Sequence, residues 1–295
     1  MTVVLVPHDL GVEVLGAIEG VDAIRYTPGD PLPRTDADVI VPQFLAGQDA
    51  TAILKELPEL RLVQLLSAGA EHWIDVVPDG VLLSDCRGAH GGATAEWVVG
   101  VLLSTYRALP RFTRAQDEKH WDYHQTEELA GRSVLLVGAG DLAQQTARRL
   151  EPFDVITTMV GRREAHTLPE LLPDHDAVVL VVPLTPETEG MVDAAFLARM
   201  RDGAVLVNAA RGRVVDTDAL VAELQSGRLR ACLDVTDPEP LPAEHPLWAC
   251  PGLLLTPHVG GSVPGGMGRA YGVVAEQLRA YVAGQEPPNV VRDGY

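Results

Sequence analysis

The sequence predicts an α/β protein made of two doubly wound parallel-sheet domains, and three observations carry that prediction. Short apolar runs alternate with helical patterns over residues 2–90 and again over 131–262. Within the second series, Ser133–Arg163 reads as a complete strand–turn–helix–strand unit of about 30 residues. A long helical pattern at 263–283 then offers the chain a route back to the first series.

The unit at Ser133–Arg163 is the most specific of the three. Val134–Val137 is wholly apolar, the pattern of a parallel strand buried on both faces. Gly138-Ala139-Gly140-Asp141-Leu142-Ala143 follows as a G-x-G-x-x-A turn, a helical pattern runs through Leu150, and a second apolar run, Val155–Val160, closes the unit. Gly138 permits the tight turn, Gly140 lets backbone approach a pyrophosphate, and Ala143 lets the helix pack close to the strand. The first amides of that helix lack intrahelical acceptors, and the helix dipole favours an anion there. The Asp141 carboxylate is therefore expected to point outward. In this strand and helix context the motif implies a Rossmann-type dinucleotide-binding unit.

The end of the second strand bears on which dinucleotide. An NAD site places an acidic residue about 20 residues past the first glycine to hold the ribose hydroxyls. This chain has Gly161-Arg162-Arg163 instead. No carboxylate is expected to repel a 2′-phosphate here, and two guanidiniums can pair with one bidentately. NADP(H) is thus expected over NAD(H), the alternative being a solvated arginine pair.

Composition narrows the class. With 295 residues, 46% apolar, the chain can bury a sizeable core and is expected to form two domains. A formal charge of −18 argues against nucleic acid or an anionic membrane as partner, so an anionic substrate must be drawn by local positive charge. Lys55 and Lys119 are the only lysines, which disfavours a Schiff-base mechanism. Cys86, Cys232 and Cys250 have neither disulfide nor metal spacing and are expected to be reduced core thiols, with no metal site. The opening MTVVLVPHDLGVEVLG lacks a basic region and carries Asp9 and Glu13, so it is not read as a signal peptide. No apolar run approaches the ~20 residues of a membrane span. A cytoplasmic protein is expected.

In the first series the expected strands are Val3–Val6, Ala23–Tyr26, Val39–Val41, Leu62–Leu65 and Val81–Ser84, with a helical piece at Ala50–Leu57. Ser67-Ala68-Gly69-Ala70 follows the fourth strand at the edge where open α/β sheets bind ligands. His8, His72 and His90 are isolated and read as structural or surface residues. Gly92–Leu109 is a helical pattern apolar on most faces, expected to lie buried between the domains; Glu96 and Arg107 interrupt it too soon for a membrane span. A polar stretch containing Trp121 and Tyr123 leads to Gly131.

Beyond Arg163 the pattern gives a short helix at Leu168–Leu172, strand Ala177–Val182, helix 193–200, strand Ala204–Val207, helix Asp216–Ser226 stopped by Gly227, and strands Ala231–Asp234 and Leu253–Thr256. Three of these strands run into polar residues with chemistry: Arg211, Glu239 and His258. Each alone has a bland explanation, and Arg213 sits close to Arg211. Together they match a need, because hydride transfer to a carbonyl requires a proton donor and a cation to hold the substrate. Histidine exchanges protons near neutrality, an adjacent Glu orients its ring, and Arg grips a carboxylate with two hydrogen bonds.

These residues lie in blocks that resemble the D-isomer-specific 2-hydroxyacid dehydrogenases, particularly the glyoxylate/hydroxypyruvate reductases, over essentially the whole chain. The blocks are Val137–Ala143, VPLTPETEG at 182–190, VNAARGRVVD at 207–216, LDVTDPEPLP at 233–242, HPLW at 245–248 and TPHVGG at 256–261. The resemblance implies a Rossmann cofactor domain, 93–264, inserted into a flavodoxin-like substrate domain, 1–92 and 265–295. It implies hinges near 91–95 and 262–266. It implies Arg211 as substrate-binding and catalytic residue, His258 as acid/base and Glu239 as its partner, with the backbone of Ala68 and Gly69 helping to hold the substrate carboxylate. Cofactor contacts would come from Gly138, Gly140, the Asp141 and Leu142 backbone, Pro183, Ala209, Ala210, Asp234 at the nicotinamide amide, and Gly260; Gly161-Arg162-Arg163 departs from the family's acidic strand end, and Arg162 and Arg163 are the expected 2′-phosphate contacts. A homodimer is implied, and substrate choice would rest on loops near 43–48, 67–72 and 86–90 and on Trp248.

The expected activity is reduction of a small 2-keto acid by NADPH to a D-2-hydroxy acid. A formate dehydrogenase of the same fold would carry Gln where Glu239 stands. A phosphite dehydrogenase would use a similar Arg, Glu and His set and stays open as an alternative, as does a non-catalytic dinucleotide-sensing protein.

Overall fold

The computed structural model describes residues 1–44 and 48–292. Residues 45–47 of the expected loop 43–48 therefore lie outside the described residues. The chain divides into two compact units, Met1–His90 with Val263–Tyr295, and Gly91–Ser262.

The first unit holds β1 (Thr2–Val6), α1 (Asp9–Gly16), β2 (Val21–Arg25), β3 (Val39–Ile40), a 3₁₀ segment at Gln48–Glu56, β4 (Leu62–Gln64) and β5 (Leu82–Ser84). Its five strands are parallel in the order β2-β1-β3-β4-β5. Val4 and Val6 of β1 join one apolar cluster, Val3 and Leu5 the other. Both sheet faces are thus covered, which is why this strand reads as a continuous apolar run. The α1 segment was not singled out in the sequence, since its glycines and valines are weak helix formers. Packing holds it: a Cβ on Gly11 would lie 2.7 Å from the Tyr271 ring, so only glycine allows this approach.

The second unit holds α2 (Gly91–Tyr106), α3 (Leu109–Asp117), β6 (Ser133–Val137), α4 (Asp141–Leu150), β7 (Ile156–Val160), α5 (Leu168–Leu171), β8 (Ala177–Leu180), α6 (Ala194–Arg199), β9 (Val205–Asn208), α7 (Thr217–Gln225), β10 (Arg230–Leu233) and β11 (Leu253–Leu255). Its six strands are all parallel, in the order β11-β10-β9-β8-β6-β7. The order reverses at β6, from which β7 lies to one side and β8 to the other, and in such sheets ligands bind beyond the carboxyl ends at that switch point. The last helix, α8 (Gly266–Val282), packs on α1 in the first unit.

Two helix expectations are corrected. The pattern at Gly92–Leu109 ends at Tyr106, because Pro110 has no N–H to offer the Tyr106 carbonyl and its ring would clash there. Ala108 takes a left-handed φ of 51° and α3 begins. Nor is α2 sheathed on every side: Val98, Val101, Leu102 and Tyr106 pack against Val134, Leu136 and Val207 of its own unit, while Glu96 and Gly100 are exposed.

At the amino-terminal edge of this sheet, Arg132 and Arg230 lie over the Tyr106 ring, 5.1 and 5.2 Å from its centroid. Arg132 pairs with Asp176 at 3.2 Å and with Glu127 at 2.9 Å, Arg230 pairs with Glu127 at 2.8 Å, and Arg201 pairs with Asp176 at 3.1 Å. Ser133 donates both its amide, at 2.9 Å, and its hydroxyl, at 3.0 Å, to Asp176.

Candidate active site

The carboxyl ends of β9, β10 and β11 place the candidate trio. Asn208, the last residue of β9, is buried; its Nδ2 donates to the Arg211 carbonyl at 2.9 Å and its Oδ1 accepts from the Ala210 amide at 3.0 Å. That side chain fixes the backbone of Arg211, whose guanidinium donates to the Ala210 carbonyl at 2.8 Å. Arg213 is spent elsewhere, on Glu189, which separates two arginines that the sequence alone did not. Gly212 then passes directly against the next loop: a Cβ there would sit 2.0 Å from the Thr236 carbonyl oxygen. Arg211 and the loop bearing Glu239 are therefore locked together backbone to backbone.

Asp234 follows β10 and is 4% exposed. Its Oδ1 accepts from the Thr256 hydroxyl at 2.6 Å and the Val259 amide at 2.9 Å, and its Oδ2 from the Gly260 amide at 2.8 Å. Its carbonyl accepts from the His258 amide at 2.7 Å. The segment 256–260 is so tied down that His258 sits at a left-handed φ of 53°. The expected cofactor residues Asp234 and Gly260 are thus already bonded to each other as loop anchors.

His258 Nδ1 lies 2.6 Å from Glu239 Oε1. A carboxylate only accepts, so Nδ1 carries the proton and Nε2 is the ring atom left to exchange one. Both side chains are partly exposed, at 34% and 41%, so the pair is reachable by a ligand.

At the glycine turn, Gly138 has φ 125° and a Cβ there would meet the Val181 carbonyl oxygen at 2.6 Å. Gly140 is the opposite case, with no heavy atom within 4 Å of where a Cβ would stand. That open space, before the ten-residue α4 whose first turn holds the Asp141 and Leu142 amides, fits the pyrophosphate of a dinucleotide. Asp141 turns its carboxylate against Gly91 and accepts from Gln145 at 3.3 Å. Pro183 and Thr185 are braced by Thr188, whose hydroxyl donates to the Pro183 carbonyl at 2.6 Å. The Ala209 amide donates to the Leu180 carbonyl at 3.2 Å.

Arg162 and Arg163 are exposed at the end of β7. The expectation that no carboxylate stands here is corrected. Glu187, from the loop after β8, reaches Arg162 at 3.3 Å, and the Glu164 carboxylate lies 3.0 Å from where a Gly161 Cβ would be. Both were invisible to a reading of the three-residue strand end.

In the first unit, Ala68 and Gly69 follow β4 in a turn where the Ser67 hydroxyl donates to the Gly69 carbonyl at 2.8 Å. His8 meets the Tyr271 hydroxyl at 2.9 Å and His90 the Leu66 carbonyl at 2.8 Å, both structural contacts, while His72 is exposed. Trp248, 56% exposed, donates its indole N–H to the Pro242 carbonyl at 2.8 Å. All three cysteines are free and buried. Among the described residues no acidic, histidine or cysteine cluster suits a metal, and no helix is long and apolar enough to cross a membrane.

Two parallel-sheet α/β units, with this glycine turn and this trio on strand ends, define an oxidoreductase of the dehydrogenase class. The chain belongs to the D-isomer specific 2-hydroxyacid dehydrogenase family, whose NAD binding domain model matches residues 99–260. It is similar to a glyoxylate reductase of Thermofilum pendens, 33% identical over 81% of this chain and 77% of that one. It is also similar to a mouse glyoxylate reductase/hydroxypyruvate reductase, 30% identical over 91% of this chain and 90% of that one. Among solved structures it superposes on an NADPH-dependent glyoxylate/hydroxypyruvate reductase from Sinorhizobium meliloti in complex with NADP and sulfate. That match has a TM-score of 0.84 and 27% identity and covers all of both chains.

Proposed function

We propose that this protein is a cytoplasmic NADPH-preferring reductase of small 2-keto acids of the glyoxylate/hydroxypyruvate type, yielding D-2-hydroxy acids. The observation that carries the proposal is the 2.6 Å Glu239–His258 contact on loops that Asp234 and Gly212 hold in place.

A bound nicotinamide dinucleotide would be held through its pyrophosphate by the glycine turn Gly138–Gly140 and the Asp141 and Leu142 amides, and its nicotinamide ring would supply the hydride. Pro183, Ala209, Ala210, Asp234 and Gly260 line its path, and Arg162 and Arg163 receive the 2′-phosphate. Arg211 grips the substrate carboxylate and polarises the keto oxygen with its planar fork. His258 gives its Nε2 proton to that oxygen, and Glu239 holds the ring's other nitrogen protonated so that the proton leaves from the correct side. The backbone at Ala68 and Gly69 in the first unit, the substrate domain, is assigned to the substrate carboxylate. The working unit is a homodimer, a reading supported by the bare aromatics Trp121 and Tyr123, 91% and 88% exposed.

Initial rates of NADPH and NADH oxidation with glyoxylate, hydroxypyruvate, pyruvate and phenylpyruvate test the proposal. NADPH-dependent turnover of the two small acids supports it. A clear NADH preference overturns the cofactor assignment. Absence of turnover with every keto acid, together with phosphite-dependent cofactor reduction, would make the protein a phosphite dehydrogenase; tight NADPH binding without either reaction would make it a sensor.

A further inference from the structure

The ion pair between Arg162 and Glu187 bears on cofactor choice in a way the three-residue strand end does not. One Glu187 oxygen lies 3.3 Å from the Arg162 guanidinium, and the other accepts the Thr185 hydroxyl at 2.8 Å. Thr185 is itself fixed, its amide donating to the Thr188 hydroxyl at 2.8 Å. The carboxylate is therefore aimed at Arg162 by its own loop. The Thr185 hydrogen bond, with Arg162 adding to it, holds the Glu187 carboxyl below the ordinary glutamate range, so it is charged at neutral pH.

Arg162 and Glu187 are 65% and 62% exposed, and an ion pair in water of this kind is weakly held. A 2′-phosphate carries close to two negative charges and can displace the carboxylate from Arg162. A cofactor with a free 2′-hydroxyl leaves the pair intact and offers Glu187 a donor, the service that an acidic residue at the end of the second strand performs in NAD sites.

We propose that Glu187 is a specificity-determining residue. From the loop after β8 it occupies Arg162 when no 2′-phosphate is bound, accepts from the ribose hydroxyl of NADH, and so moderates the preference for NADPH. This inference rests on the assignment of Arg162 and Arg163 to the 2′-phosphate.

The test reads the adenosine end alone, by calorimetric titration of the full chain with 2′,5′-ADP and with 5′-AMP. The ratio of the two dissociation constants is compared among wild type, Glu187→Gln, Glu187→Asp and the double variant Arg162→Ala/Arg163→Ala. The wild type should prefer 2′,5′-ADP, and the double variant should bring the ratio close to one. Glu187→Gln should raise the ratio about threefold to fivefold, the scale of an exposed charge pair. Glu187→Asp, which keeps the charge but draws it back from Arg162, should fall between. The gain should shrink at ~0.5 M salt, where exposed charges are screened. A ratio in Glu187→Gln equal to or below that of wild type, with the double variant still abolishing the preference, overturns the role of Glu187 and leaves the arginines standing. A wild type that does not distinguish the two nucleotides overturns the arginine assignment, and the Glu187 proposal falls with it.

Discussion

Replacing Asp234 with Asn isolates a buried carboxylate by a change of one atom. Its two oxygens accept from Thr256, Val259 and Gly260 at 2.6, 2.9 and 2.8 Å, and no conformer of an amide can repeat this. If the amide nitrogen takes the Oδ2 position it faces the Gly260 N–H; if it takes Oδ1 it faces the Val259 N–H. In either orientation one buried backbone donor is stripped, which costs about 1–3 kcal/mol, and the surviving bonds lose their charge assistance, about 1 kcal/mol each. The sum is about 2–5 kcal/mol. At about 2–4 °C per kcal/mol for a domain of this size, the melt of the unit carrying β10 should fall by about 4–20 °C. Because the same segment carries His258 at its left-handed φ, kcat should also fall by about tenfold or more. Differential scanning fluorimetry and steady-state kinetics on one preparation read both. A melt within about 2 °C of wild type would refute the reasoning and leave Asp234 with its cofactor role alone.

Other perturbations follow from the same contacts. His258→Asn should lower kcat by at least ~100-fold, the scale of lost general acid catalysis, and Arg211→Lys should be comparably severe because an ammonium has no bidentate fork; wild-type turnover in either removes that residue from the mechanism. Gly212→Ala places a Cβ 2.0 Å from the Thr236 carbonyl oxygen, so the Arg211 and Glu239 loops must separate, and keto-acid reduction should be lost even in folded protein, a result near-normal kcat/KM would contradict. Burial opposes the charge on Asp176, but the Ser133 amide and hydroxyl and the Arg132 guanidinium outweigh it and hold its carboxyl below the ordinary aspartate value. Its contribution is therefore present above the unfolded-state pKa near 4 and lost as pH falls through the lower folded value. The stability gap between wild type and Asp176→Asn in urea titrations should be full at pH 7 and shrink below about pH 4; a gap that widens on acidification reverses the sign. Burial pushes the Cys86 thiol up to about 12 and the Cys232 thiol up to about 11, so neither should react with a disulfide reagent at pH 8 until the chain is unfolded, and rapid native labelling of either would count against the packing described.

Much of this architecture was legible because it rests on local signals. The run Val134–Val137, the turn Gly138–Ala143 and the helix to Leu150 sit where their periodicity put them. Elements without such a signal were not: α1 is held by Gly11 against Tyr271, and α3 by the break that Pro110 imposes on α2. The sites behave likewise. Arg211, Glu239 and His258 were visible as polar residues after apolar strands, but their convergence depends on which strands are neighbours. The supporting residues were harder to see. Asn208 closes an apolar run, a signal that could have been heeded, yet what it holds is visible only in three dimensions. Asp234 is expected at the cofactor amide from the family resemblance, but the sequence does not show that its oxygens also meet amides 25 and 26 residues away. Glu187 escaped because a strand end was judged by its own three residues, while the carboxylate arrives from the next loop.

The fastening of Tyr106 between Arg132 and Arg230 lies at the opposite rim of the sheet from the glycine turn and the His258 loop. The same sheet thus carries the candidate site at one rim and a charged clasp at the other. The rims answer to different pressures: substitutions in the clasp can raise or lower heat tolerance with the reacting end untouched. A lineage moving to a warmer or saltier habitat could retune this enzyme there without renegotiating its chemistry.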